Sequence, residues 1–108
     1  MKGIYSYFYS GDGHHFYVKV GYSKNIKRRL KEHKMSNPLI EKGPICTEIL
    51  CDFSIEASIH KMFREFYEEI APEHYKLSIK DRMNFEDTFK IIGEILAKNW
   101  ENAKLALV

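Results

Sequence analysis

The first run of apolar positions, Gly3-Ile-Tyr-Ser-Tyr-Phe-Tyr9, is rich in aromatics and predicts a β-strand. Ser10-Gly-Asp-Gly-His14 follows as a turn cluster with two glycines available for positive φ. A second run, His15-Phe-Tyr-Val-Lys-Val-Gly-Tyr22, then returns and predicts an antiparallel hairpin. Ser23 is placed to cap a helix from about Lys24 to His33. Asn37-Pro38 and Gly43-Pro44 punctuate the loop that follows, and residues 44–53 supply a third strand. Ser54 caps a second helix whose apolar positions, Ile55, Ile59, Met62, Phe63 and Phe66, follow helical spacing until Pro72 ends it. Tyr75-Lys76-Leu77 reads as a short extended piece. Ser78 or Asp81 opens a last helix carrying Phe85, Phe89, Ile92, Leu96 and Trp100.

The order β-β-α-β-α, a short extended piece, then α predicts an α/β (α+β) chain: a small three-stranded antiparallel sheet flanked by helices. No linker interrupts it, so residues 1–108 read as one domain, with 80–108 a helical extension. Composition agrees, since 44% hydrophobic and 30% charged residues with 6 Gly and 3 Pro describe a folded globule rather than a disordered or collagen-like chain. No apolar run approaches the roughly 20 residues of a membrane span. Met1-Lys-Gly-Ile-Tyr5 leads into Ser, Tyr and Phe rather than an aliphatic signal core. An intracellular, cytoplasmic setting is expected, that of the host cell if the chain is viral. Cys46 and Cys51 share one apolar run, and five extended steps would hold them roughly 16 Å apart, beyond disulfide reach. With no third cysteine, a zinc knuckle or finger is ruled out.

Net charge is only +2, but its distribution is uneven. Lys19, Lys24, Lys27, Arg28, Arg29, Lys31 and Lys34 face a single anion, Glu32, within sixteen residues, so the rest of the chain is net acidic. Such a basic segment is what a phosphate backbone responds to, although a solvated helix face is the commoner meaning of a charge run. Within the first helix Ile26, Arg29, Leu30 and His33 fall at i, i+3, i+4 and i+7. An arginine sharing that apolar face is held near the sheet and aimed. In the second helix Glu56, His60 and Arg64 form a polar stripe at i, i+4 and i+8. No P-loop, nucleophile elbow, Rossmann fingerprint or His-Glu-x-x-His pair is present.

Gly3-Ile4-Tyr5 on one strand and Lys19-Val20-Gly21 on the next resemble the paired motifs of the GIY-YIG nuclease family. The likeness continues through Arg29 and His33, then Glu56, then Glu73-His-Tyr-Lys-Leu-Ser78, which is similar to a Glu-aromatic-aromatic stretch of a compact branch often encoded by phages and viruses. It spans about residues 3–79. One departure stands out: Lys19 replaces the tyrosine of the second motif, as is common in that branch. Tyr17 shares a strand face with Lys19 and is the better stand-in for the lost phenol, while Lys19 is the direct positional match.

The resemblance implies a metal-dependent endonuclease hydrolysing DNA phosphodiesters, with RNA left open. Tyr5 would act as general base, Arg29 would hold phosphoryl oxygens with its planar fork, and Glu56 would ligate Mg²⁺ or Mn²⁺. A phenol of ordinary pKa about 10 is too weakly ionised for that role at neutral pH, so Lys19 is expected to lower it, to hold the water, or to bind phosphate. His33 would relay a proton or contact the backbone. Tyr17, Gly21, Lys24, Lys27, Arg28 and Lys31 would position nucleic acid. The alternative is a binding module on the same fold with weak or no turnover. A third class, a protein-interaction domain, would use the acidic 65–73 region or the last helix. That helix would cap the core or carry a dimer contact, leaving monomer and homodimer both open.

Overall fold

The computed structural model describes residues 2–10, 15–36, 49 and 55–106. Strands β1 (Gly3–Ser10) and β2 (Phe16–Ser23) lead to helix α1 (Ile26–Ser36). Helix α2 (Glu56–Phe66), strands β3 (Glu68–Ala71) and β4 (His74–Leu77), and helix α3 (Ile79–Ala106) complete the order. The four strands form one antiparallel sheet in the order β1-β2-β4-β3. The expected turn at 11–14, the loop prolines Pro38 and Pro44, and both cysteines lie outside the described residues. Of the strand expected over 44–53, only Ile49 is described. It exchanges both backbone hydrogen bonds with Ile4, each 2.9 Å, on the open side of β1.

The architecture is the mixed α+β fold expected, with a larger sheet than the hydrophobic pattern indicates. The second helix stops at Phe66, not at Pro72. Tyr67 turns extended (φ −131°, ψ 151°) while its N–H still bonds the Phe63 carbonyl. Residues 68–71 then pair with β4 as a short edge strand, and Pro72 and Glu73 make the turn between them. Phe66, counted with the apolar stripe, is 60% exposed because the stripe ends at Phe63.

Period-two alternation splits β1 between the two faces of the sheet. Ile4 and Phe8 join Val18, Val20, Tyr75 and Leu77 against Ile55, Ile59 and Phe63 of the α2 segment and Phe85 and Phe89 of α3. Phe63 centres this core, with ring centroids 5.5 Å from Phe85 and 5.8 Å from Tyr75. Truncating a phenylalanine so placed costs about 3–5 kcal/mol. Gly93 lets α3 lie directly on Ile49, since a Cβ there would run into that side chain. The opposite face carries Tyr5, Tyr7 and Tyr9, and among the described residues Ile26 and Leu30 of α1 are the apolar side chains packed against them.

Capping departs from expectation in two places. Asn25, not Ser23, caps α1, its Oδ1 accepting the Arg28 N–H at 3.2 Å, while Ser23 Oγ accepts the Asn25 N–H at 3.0 Å. The helix accordingly begins at Ile26 and runs on to Ser36. Ile55 precedes α2 with no side-chain cap, and Ser54 lies outside the described residues. Ser78 does open α3, its Oγ accepting the Asp81 N–H at 3.1 Å.

Candidate functional site

Tyr5 and Gly21 are direct partners across the hairpin, and the tyrosine ring lies over the glycine. A Cβ at Gly21 would sit 2.8 Å from the Tyr5 hydroxyl oxygen and 3.0 Å from Cζ. Gly21 therefore makes room for the ring, and its role is a close side-chain approach within the sheet. Buried Ile26 anchors α1 so that the residue two turns on, His33, reaches this face. The Tyr5 hydroxyl lies 2.7 Å from His33 Nε2 and the Tyr7 hydroxyl 3.2 Å from His33 Nδ1. Burial, then the charges of Arg29 and Lys19, push the imidazole below the ordinary histidine value. A neutral ring between two phenols accepts from one and donates to the other.

Arg29 is half exposed and donates to Glu32 at 3.1 Å, while its guanidinium also reaches the Tyr5 hydroxyl. The Tyr5 phenol is nevertheless raised above its ordinary value. Burial dominates, the bond and charge of Arg29 only partly oppose it, and the charges of Glu73 and Glu56 add to the rise. The expectation that Lys19 lowers the Tyr5 pKa is thus corrected. The lysine is 8% exposed and pairs with Glu73 instead.

Glu73 sits in the β3–β4 turn with φ 71°, a left-handed backbone that a residue with a Cβ adopts at a cost. Its backbone carbonyl accepts the Val20 N–H at 3.0 Å, which docks the turn onto β2 beside Lys19. Burial opposes ionisation of its carboxyl, but the bond and charge of Lys19, then the bond to Glu56, hold it below the usual range. Glu56, in the first turn of α2, is pushed up to about 7, first by burial and then by its hydrogen bond and repulsion with Glu73. Burial and the neighbouring carboxyl thus favour the protonated form of Glu56, while Lys19 favours the ionised form of Glu73.

His60, one turn after Glu56, is buried, with Nδ1 2.6 Å from the Tyr75 hydroxyl and Nε2 3.5 Å from Glu56 Oε1. Glu56, His60 and Glu73 each offer a ligand atom, and these atoms lie within 4.8 Å of one another. They open into a cleft of about 580 Å³ that Arg64, Glu69 and Pro72 also line.

Tyr5, Arg29 and His33 therefore form one cluster, Lys19 and Glu56 meet at Glu73, and the charges of both groups reach the Tyr5 hydroxyl. Tyr17 is brought to neither. It pairs with Tyr9, whose ring stacks on it at 5.4 Å, and the Tyr9 hydroxyl bonds His74 Nδ1 at 2.7 Å. The stand-in role expected for Tyr17 is corrected accordingly, because facing the same side as Lys19 does not bring it to Tyr5. Lys24, Lys27, Arg28 and Lys31 are exposed, and Arg28 pairs with Glu32 at 3.1 Å. Sequence reasoning missed Glu73, Tyr7 and the burial of His60. The Glu73-His-Tyr stretch and the Glu56/His60 spacing were the available signals.

The T5orf172 domain matches residues 3–98, from the first residue of β1 into the later turns of α3. It is a phage-associated domain found in nuclease-related proteins. No curated protein and no solved structure matches the chain. No helix among the described residues is long and apolar enough to cross a membrane.

Proposed function

Because the chain belongs to the T5orf172 domain family, we propose that it is a metal-dependent endonuclease domain of GIY-YIG type, one domain over 1–108, that hydrolyses DNA phosphodiester bonds. The observation that carries this reading is that the Tyr5 hydroxyl bonds His33 Nε2 and the Arg29 guanidinium while the charges of Glu56 and of the Lys19-paired Glu73 also reach it.

The chemistry divides among these groups. Arg29 has one nitrogen on Glu32 and a half-exposed fork, which suits it to phosphoryl oxygens. Tyr5 is held protonated, so it works as a relay: its oxygen accepts a proton from the attacking water as its own proton passes to His33 Nε2. Tyr7, raised to about 12 chiefly by burial, stays neutral and accepts from Nδ1–H, which keeps Nε2 free to take that proton. Lys19 sits where it can meet the substrate phosphate once released from Glu73. The Glu56 carboxylate, with neighbouring oxygen and nitrogen donors and a ready proton to lose, fits a divalent cation such as Mg²⁺ or Mn²⁺. When bound, that ion supplies Lewis acidity and stabilises the leaving oxygen. Lys24, Lys27, Arg28 and Lys31 steer and align the nucleic-acid backbone without reading bases.

The test is incubation of the whole chain with plasmid, single-stranded DNA and RNA, in Mg²⁺, Mn²⁺ or chelator. Metal-dependent nicking that Glu56→Ala and Arg29→Ala abolish is expected. Cleavage that survives both substitutions would overturn the assignment of the site. Two features, the raised Tyr5 phenol and Lys19 tied to Glu73, favour a second reading as a binding module. That reading predicts DNA affinity falling steeply with salt and no nicks under any metal.

A further inference from the structure

His60 stands in a different setting from the other site residues. Its side chain is only 7% exposed, and its Nδ1 lies 2.6 Å from the Tyr75 hydroxyl. That hydroxyl also bonds the carboxylate of Glu69, its partner across β3 and β4, and Arg64 Nε donates to the same carboxylate at 3.4 Å. An ionised carboxylate only accepts, so Tyr75 gives its proton to that bond, and its oxygen is left to accept from His60 Nδ1–H. The neutral imidazole then carries a bare lone pair at Nε2. This buried atom has no hydrogen-bond partner, and it faces Glu56 Oε1 at 3.5 Å. Two acceptors pointed at each other repel unless a cation lies between them. Glu73 closes the third side, with all three ligand atoms inside 4.8 Å.

We propose that Glu56, His60 and Glu73 together hold one divalent cation of the first-row transition class, with Mn²⁺ preferred over Mg²⁺. This deepens the nuclease reading by naming the ion and two further ligands, and it rests on that reading only for what the ion is used for. Mg²⁺ favours oxygen donors and retained waters, and a single carboxylate satisfies it. A buried imidazole nitrogen beside two carboxylates selects an ion that tolerates nitrogen. The chain from Arg64 through Glu69 and Tyr75 is the outer support that fixes the ring and its tautomer. Lys19, paired with Glu73, is the cation such an ion would displace toward the substrate.

The whole chain, free of nucleic acid, is titrated separately with Mn²⁺ and Mg²⁺ by calorimetry, and with trace Mn²⁺ while histidine ring signals are followed by NMR. One Mn²⁺ per chain is expected, bound roughly tenfold or more tightly than Mg²⁺, and broadening His60 ahead of His33. His60→Gln should weaken Mn²⁺ by roughly tenfold or more, the scale of a lost support or ligand, and Mg²⁺ by much less. A sharp His60 resonance at saturating Mn²⁺, or equal affinities that His60→Gln leaves unchanged, overturns the proposal. The broadening is read on the unaltered chain, so it does not depend on a variant folding. Because the titration uses no DNA, a chain that binds Mn²⁺ there but nicks no DNA in the cleavage assay refutes only the nuclease reading. Cleavage retained without these signals leaves Glu56 as the sole ligand.

Discussion

His33 and His60 each lie beside a tyrosine hydroxyl, at 2.7 and 2.6 Å, and each is pushed by burial below the ordinary histidine value. They differ in what meets the second nitrogen. On α1 it is another phenol, so both nitrogens of His33 are bonded and the ring can pass a proton along a fixed line. On α2 it is a carboxylate beyond hydrogen-bond geometry, so His60 Nε2 is left without a partner. The second neighbour thus leaves one imidazole bonded at both nitrogens and the other with an unpartnered nitrogen facing a carboxylate.

The comparison breaks most directly at His33. His33→Ala should lower cleavage by about 10²–10⁴-fold, the usual worth of a proton-transfer group, in a single-turnover assay at saturating metal. Cleavage by the unaltered chain should rise with pH as His33 loses its proton, with a midpoint below the ordinary value of about 6.5. The variant should lack that limb. Stability follows the same sign: a histidine with a depressed folded value contributes stability that is present above its unfolded value and lost as pH falls through the folded one. Glu56 acts oppositely. Its folded value of about 7 favours the fold at low pH and withdraws that support as pH climbs through it.

Gly21→Ala tests whether the phenol must sit where it does. The added Cβ at 2.8 Å from the Tyr5 oxygen would displace the ring, and a misplacement near 1 Å costs about a hundredfold in rate. Urea denaturation should show a loss of about 1–3 kcal/mol, as overpacking does. A variant with full activity would mean the Tyr5 position is not critical.

Tyr7→Phe sharpens the contrast by leaving one nitrogen of His33, like one of His60, without a partner. Losing one hydrogen bond of the neutral kind should cost about 0.5–1.5 kcal/mol. It should also release the fixed tautomer, visible as a changed ¹⁵N shift pattern of the ring.

The smallest effect is expected at Glu73→Gly. Glycine adopts φ 71° freely, relieving roughly 1 kcal/mol or more of backbone strain, which offsets part of the loss of the ion pair between the 40% exposed Glu73 side chain and the 11% exposed Lys19 side chain. Thermal stability should therefore change little, whereas Mn²⁺ binding should drop sharply. A large destabilisation would show that Glu73 is held for the fold rather than for the site.

Much of this was legible beforehand where local periodicity governs. The hairpin of residues 3–9 and 15–22 emerges from aromatic and β-branched runs around a glycine turn. The Ile26, Arg29, Leu30, His33 stripe follows from 3.6-residue spacing, and that stripe is what seats Arg29 and His33 beside Tyr5. The switch from α2 into β3 was not legible, because Tyr67-Glu-Glu-Ile carries no turn signal before Pro72 and continues the helical pattern through Phe66. Glu73 was equally hidden as a site residue, since left-handed backbone is read from glycine or asparagine and not from glutamate.

By itself the order of residues determined the sheet faces, the basic first helix and the polar stripes of the first two helices, because alternation and helical spacing act over a few residues. Only the folded chain decided that Lys19 answers Glu73 instead of Tyr5, that the Glu56 and Glu73 carboxyls are pushed in opposite directions, and that one imidazole is bonded at both nitrogens while the other has one nitrogen without a partner. Those outcomes depend on burial and on neighbours far apart along the chain, and desolvation sets protonation only once the chain has closed around the group.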